Sequence, residues 1–341
     1  MQIYKLLFHI YKFLINYFYL FRVARSYQLT SRGLASVGEK HTLNFKLNTM
    51  ITSTKPSIEQ TENPNCAKPL LGDAVVISWW SGGITSAVAC RLAIEKYENV
   101  KLVYIETGSH NPDTLRFKND CEKWYGMPIE TIKNTKYKDV IDVVLKTKYV
   151  NGANGARCTL ELKKNVRFKY EKTINILSQV WGYEFDAKEI NRAIRTQQQY
   201  PDTNPLFPLI ENKLSKSECA GIILGAGIEL PNMYKLGYNN NNCIGCVKGG
   251  SGYWNKIRVD FPKVFNEMAR AERIVNATCL KNENGKIFLD ELKPTAGNPT
   301  DLVLPECGLF CQVEFSHIMD NRVSKIMNEN VSIYDFGNSI A

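Results

Sequence analysis

The chain has 341 residues, of which 44% are hydrophobic and 23% charged, with a formal net charge of +9. This composition excludes a disordered or collagen-like polypeptide, and the length supplies one large domain or two with an ample core. The charge does not mark a nucleic-acid groove: residues 1–70 carry nine Lys or Arg against three Asp or Glu, so +6 of the +9 lies there and only +3 on everything after.

Residues 1–49 form a basic N-terminal extension. Its apolar run, residues 6–21, is interrupted by His9 and Lys12 and falls short of the roughly 20 residues that a membrane span needs. No Asp or Glu precedes Glu39. The segment therefore reads as a transit sequence, a basic interfacial anchor, or a stretch translated upstream of a working start at Met50. Residues 50–72 are polar and proline-punctuated, as a linker is.

An α/β pattern begins at Asp73, and residues 73–235 are expected to be the nucleotide-binding domain. The apolar run Val75–Trp79 predicts a buried strand, Ala87–Tyr97 a helix and Val100–Glu106 a second strand. A helix over Asp113–Tyr125 and a strand over Pro128–Ile132 follow. Strands joined by helices imply a parallel sheet flanked by helices, of Rossmann type, with ligands at the strands' carboxyl ends. Residues 141–200 read as mostly helical, with a glycine-rich break at 151–156. Ser215 with Glu218 predicts a capped helix reaching Gly225.

Residues 236–315 form a smaller cysteine-bearing region: a Gly/Asn loop at 239–254, a helix over Phe261–Val275 and a Gly/Pro-rich loop from Gly285 to Pro305. The tail 316–341 is polar. The ten cysteines of the chain come with no secretory signal, so the expected compartment is the reducing cytoplasm, where cysteines serve as ligands, catalytic thiols or core residues.

Chemistry is concentrated in four places. Ser81-Gly82-Gly83-Ile84-Thr85-Ser86 joins a strand to a helix, an arrangement that aims backbone N–H groups and hydroxyls at an anion. Arg157 and Lys163, beside a glycine break and Cys158, would neutralise a phosphate or sulfate; a solvated helix face explains them equally. Cys243-x-x-Cys246 and Cys307-x-x-x-Cys311 would together give four thiolates to one zinc or iron–sulfur centre. Lys248, Lys256 and Arg258 in a glycine- and aromatic-rich segment would act as counter-charges, His110 as a turn hydrogen bond, and Trp79 and Trp80 as core.

The SGG(I)TS turn, followed by Glu106-Thr107-Gly108 and Pro112-Asp113-Thr114 after the next strand, resembles the phosphoadenosine phosphosulfate (PAPS) reductase branch of the adenine-nucleotide alpha-hydrolase superfamily. The resemblance implies that Ser81, Gly82, Gly83, Thr85 and Ser86 surround the nucleotide's phosphate or sulfate, with Thr107 and Gly108 near the ribose or the reacting group. Glu306-Cys307-Gly308-Leu309 resembles the segment that carries the family's nucleophilic cysteine, with Phe310 where the family has histidine. Cys307 is thus claimed both as nucleophile and as metal ligand.

A reductase reading implies PAPS as substrate and a thioredoxin-like reductant as partner. An ATP pyrophosphatase that adenylates a substrate for thiolation or amidation is the alternative, although Thr85 stands where such enzymes place a Mg²⁺-binding aspartate. Asp73, Glu106 or Asp113 would then have to supply the carboxylate. A non-catalytic nucleotide-binding protein is the third reading.

Overall fold

The structure, a computed structural model, describes residues 74–152, 155–283, 285–298, 321–329 and 331–334. All of them fall within the unit Asn65–Ala341. The expectations for residues 1–73, for Cys307 and Cys311, and for most of the tail lie outside the described residues.

The elements in chain order are β1 (Val75–Trp79), α1 (Ile84–Lys96), β2 (Val100–Glu106), α2 (Asp113–Tyr125), β3 (Ile129–Lys133) and α3 (Val140–Thr147). Three consecutive helical stretches follow: Arg157–Thr159, a π-type turn Leu160–Lys164, and α4 (Asn165–Glu171). Then come β4 (Ile176–Val180), α5 (Ala187–Gln199), β5 (Pro205–Leu206), α6 (Lys216–Gly225), α7 (Ser251–Asp260), α8 (Pro262–Val275), the hairpin strands β6 (Leu280–Asn282) and β7 (Gly285–Ile287), and α9 (Asn321–Asn328).

Helix boundaries follow from local chemistry. The side chains of Asp139 and Asp186 accept N–H groups at the starts of α3 and α5, and Ser215 with Glu218 forms a reciprocal capping box on α6. Gly126, at φ 70°, terminates α2 in the left-handed conformation.

The five-stranded sheet has the order β3-β2-β1-β4-β5, and every pairing in it is parallel. The chain winds outward from β1 through β2 to β3, then returns to lay β4 on the other side of β1. The topological switch point therefore falls between β1 and β4, where open α/β sheets leave a crevice.

Alternation along the strands separates two cores. Val76, Trp80, Leu102, Tyr104 and Val180 pack with α1, α2 and α6, whereas Ile77, Trp79, Val103, Ile105 and Trp181 pack with α5 on the opposite face. A third cluster gathers α3, Cys158, Leu162, Cys243, Cys246, α7 and α8.

Three elements depart from the sequence expectation. β4 crosses a segment read as helical; its Ser178 and Gln179 are buried, with Ser178 accepting from Asn204 Nδ2 at 2.5 Å and Gln179 from Trp79 Nε1 at 2.9 Å. These long-range bonds satisfy polar groups that otherwise argue against an interior strand. Helix α7 begins inside the expected loop because Tyr253, Trp254 and Ile257 are fully buried there. The β6–β7 hairpin enters the segment read as a Gly/Pro loop.

Candidate functional site

A cleft of about 830 Å³, counting its solvent-open part, opens at the carboxyl ends of β1 and β4. Its floor is the turn between β1 and α1. Gly82 takes φ +88°, a conformation costly for any side-chain-bearing residue, and its carbonyl accepts from Asn241 Nδ2 at 2.8 Å. Ser86 Oγ ties the turn together: it accepts from the backbone N–H of Ser81 at 3.0 Å and donates to the Gly83 carbonyl at 2.8 Å. Gly83 occupies the N-cap of α1 and makes no side-chain cap. The first turn of α1 thus meets the cleft with its positive dipole end leading, and the Tyr234 hydroxyl, which also lines the cleft, accepts the Ile84 N–H at 3.4 Å.

Ser81, Gly83, Thr85 and Ser86 line this cleft. Gly82 stands behind the lining and shapes the turn. One wall is apolar and aromatic: Trp79, Val103, Ile105, Trp181 and Tyr183, with Trp79 and Trp181 stacked at 6.1 Å between ring centroids. Trp79 and Trp80 are only 4% and 1% exposed, so both belong to the core even as they edge the cleft.

Lys163 and Arg192 line the cleft. Lys163, expected from the sequence to neutralise a phosphate or sulfate, stands on the cleft wall. Arg157 does not reach the cleft; its side chain is 44% exposed and pairs with Glu161 at 2.8 Å. Arg192 lies over the Tyr183 ring at 4.2 Å and pairs with Glu189 at 3.0 Å. Sequence reading passed it over because α5 is an ordinary amphipathic helix with no local motif. Asn240, Asn241 and Asn242 also line the cleft. The asparagine richness of their loop was the available signal.

Beyond Lys163 lies a smaller, mostly apolar cavity lined by Thr107, Cys158, Lys163, Cys243 and Cys246, among others. Thr107 Oγ1 is 3.1 Å from Cys243 Sγ. Gly108 is turned away: its N–H donates to Glu106 Oε1 at 2.7 Å, and a Cβ there would meet the Lys138 carbonyl at 2.0 Å. His110 lines the cleft, with Nδ1 2.6 Å from the Tyr104 hydroxyl and 3.3 Å from Glu106 Oε1.

The electrostatics of this corner are distinctive. Burial disfavours the charged imidazolium of His110, yet Cys243 and Glu106 outweigh it and raise the pKa to about 9. Burial likewise opposes ionisation of Cys243, but His110, Lys163 and the Thr107 hydrogen bond together hold the thiol below its ordinary value. Cys90, Cys121 and Cys219 go the other way, pushed up to about 12 chiefly by burial.

Several expected groups are committed elsewhere. Lys256 pairs with Asp260 at 2.9 Å and Arg258 donates to the Leu289 and Leu292 carbonyls, so neither closes over the cleft. Asp113 is held by Arg116 at 2.6 Å and by the Asn232 N–H, and it does not line the cleft. Among the described residues no Asp or Glu lines the cleft, a poor donor set for a hard divalent cation. Among them, too, no group of three or more His, Cys, Asp or Glu side chains is arranged to hold a metal ion, and no helix is long and apolar enough to cross a membrane.

A parallel α/β sheet with a glycine turn and helix N-terminus at its switch point defines a nucleotide-binding class of protein. Residues 75–249 match the family model described as the phosphoadenosine phosphosulfate reductase domain; this is more than half of the chain, and the chain belongs to that family. Among solved structures it is similar to a phosphoadenylyl-sulfate (PAPS) reductase from Candida auris in its phosphate complex. The identity is 14% over 49% of this chain and 80% of that one, with a TM-score of 0.39. No curated protein matches.

Proposed function

We propose that this protein is an enzyme that binds an adenine sulfonucleotide in the β1/β4 cleft and reduces it through a cysteine thiol. The observation that carries this reading is the convergence of the Ser81–Ser86 turn, the N-terminus of α1 and Lys163 on one cleft that has an aromatic wall. The turn and Lys163 suit the phosphate and sulfate groups, through N–H groups, hydroxyls and one point charge. The wall of Trp79, Trp181 and Tyr183 suits the nucleoside. A thioredoxin-like dithiol partner would restore the thiol.

Among the described residues no carboxylate lines the cleft, which favours a sulfonucleotide over Mg-ATP. Thermal denaturation tests the choice. Adenosine 3′,5′-bisphosphate should raise the melting temperature with or without Mg²⁺; at 100 times its Kd the stabilisation is about 2.7 kcal/mol. Stabilisation by ATP alone, and only with Mg²⁺, would replace this reading with an ATP pyrophosphatase.

A further inference from the structure

Three consecutive asparagines, Asn240, Asn241 and Asn242, line the cleft, and their side chains are not equivalent. Asn240 Oδ1 accepts from Lys216 Nζ at 2.9 Å, which ties the loop to the start of α6. Asn241 is 4% exposed, and its Nδ2 donates to the Gly82 carbonyl at 2.8 Å and to Thr114 Oγ1 at 3.1 Å. A carbonyl can only accept, so the nitrogen of the Asn241 amide must be the atom on that side. Gly82 and Thr114 do not line the cleft, and the amide therefore leaves its oxygen towards it.

Among the described residues this buried Oδ1 has no hydrogen-bond partner. Clamping the turn requires only the nitrogen. Buried acceptors are ordinarily paired, and one left open on the wall of a binding cleft suits a donor on the ligand. Asn242 lines the same cleft with a buried Nδ2 that also has no partner among the described residues. An acceptor and a donor on consecutive residues fit a group that donates and accepts at once, as a hydroxyl does.

Charge and position define that group further. A phosphate or sulfate oxygen carries negative charge and no proton, so it would repel Oδ1 rather than complete it. Asn241 is bonded to the turn that faces the phosphosulfate in the reading above, and the ribose is the part of a nucleotide joined to that end. A nucleotide phosphorylated at its 3′ position keeps one free ribose hydroxyl, the 2′.

We propose that Asn241 Oδ1 accepts a hydrogen bond from the ribose 2′-hydroxyl and makes the cleft selective for ribonucleotides over deoxyribonucleotides. The inference rests on the sulfonucleotide reading. Asn241 is then a specificity-determining residue, which touches the sugar and takes no part in bond breaking.

Calorimetric titration of the full chain tests this with adenosine 3′,5′-bisphosphate, its 2′-deoxy counterpart, and inosine 3′,5′-bisphosphate, in which a carbonyl replaces the 6-amino group. The wild type should bind the 2′-deoxy ligand about tenfold more weakly, the effect of losing one hydrogen bond of ordinary strength. Asn241→Ala should bind the two sugars alike, while any preference for adenine over hypoxanthine should survive. That variant also unclamps the Gly82 carbonyl, so its affinity for the 2′-deoxy ligand reports damage to the turn, and the ratio of the two affinities isolates the oxygen. Equal affinities in the wild type overturn the inference, a comparison that stands even if the variant does not fold. A sugar preference that survives Asn241→Ala overturns it too. A base preference that disappears in that variant moves Oδ1 to the base edge and overturns the sugar assignment. Binding of ATP with Mg²⁺ but not of adenosine 3′,5′-bisphosphate defeats the sulfonucleotide reading itself. Binding of the bisphosphate without sugar preference defeats only the role of Asn241.

Discussion

Gly182, just past the end of β4, lies flat against the first turn of α1: a Cβ on it would stand 2.6 Å from the Cα of Ser86 and 2.7 Å from its nitrogen. The cleft floor is thus set by two backbones in contact, one from each side of the switch point. Gly182→Ala must push the turn or the strand aside. We expect a loss of about 1–3 kcal/mol in urea unfolding, the usual cost of overpacking, together with weakened nucleotide binding. Unchanged values for both would show that the contact does not position the floor.

The two glycines of the turn should behave differently. Gly82 holds φ +88°, so Gly82→Ala should cost about 1–2 kcal/mol of stability through backbone strain. Gly83 has φ −93°, and a Cβ there would meet the Tyr234 hydroxyl at 3.4 Å and Ser81 Oγ at 3.8 Å. Gly83→Ala should fold as well as wild type, whereas Gly83→Val should block the anion site. Calorimetric titration with adenosine 3′,5′-bisphosphate checks the latter, and full affinity in a folded Gly83→Val variant would remove the turn from the site.

Glu106 makes stability depend on acid. Burial raises its pKa, but His110, the Tyr104 hydroxyl and the Gly108 N–H outweigh burial and hold it at about 2, below the ordinary 4.5. A depressed folded-state pKa contributes stability above the unfolded value, and that contribution fades as pH falls from about 4.5 towards 2. Urea midpoints of the wild type should drop more steeply across that window than those of Glu106→Gln. Parallel curves would mean that the carboxylate contributes nothing.

Lys163 and Arg157 provide a paired comparison. Lys163 lines the cleft, while Arg157 is spent on Glu161 at the surface. A hydrogen bond to a charged group contributes about 1.5–3 kcal/mol, so Lys163→Met should weaken nucleotide binding by roughly tenfold or more. Arg157→Met should leave the affinity within about threefold. Equal losses would place both on the anion.

How much of this was legible in the sequence depended on range. β1 and β2 were readable to the residue because both are short, mostly apolar runs rich in β-branched and aromatic residues, and the Ser215–Glu218 box announced α6 because capping is a four-residue event. β4 was not legible: the bonds that let Gln179 and Ser178 enter the sheet come from residues 100 and 26 positions away. The Thr107–Cys243 contact spans 136 positions, so no spacing rule could pair them. The Ser81–Ser86 segment was legible as a strand-to-helix turn, whereas Arg192 and the asparagines reach the cleft only once the chain is folded around it.

Trp79 and Trp80 are sequence neighbours that enter opposite cores, one with α5 and the other with α1 and α2. Their alternation makes β1 a segment whose length cannot drift. Deleting or inserting one residue between Val75 and Trp80 would swap the two indoles between faces, drag the Ser81 turn along by one pleat, and misfit both cores at once. Surface loops of this fold can lengthen or shorten over many generations. Here, variation can only replace one side chain by another of similar bulk.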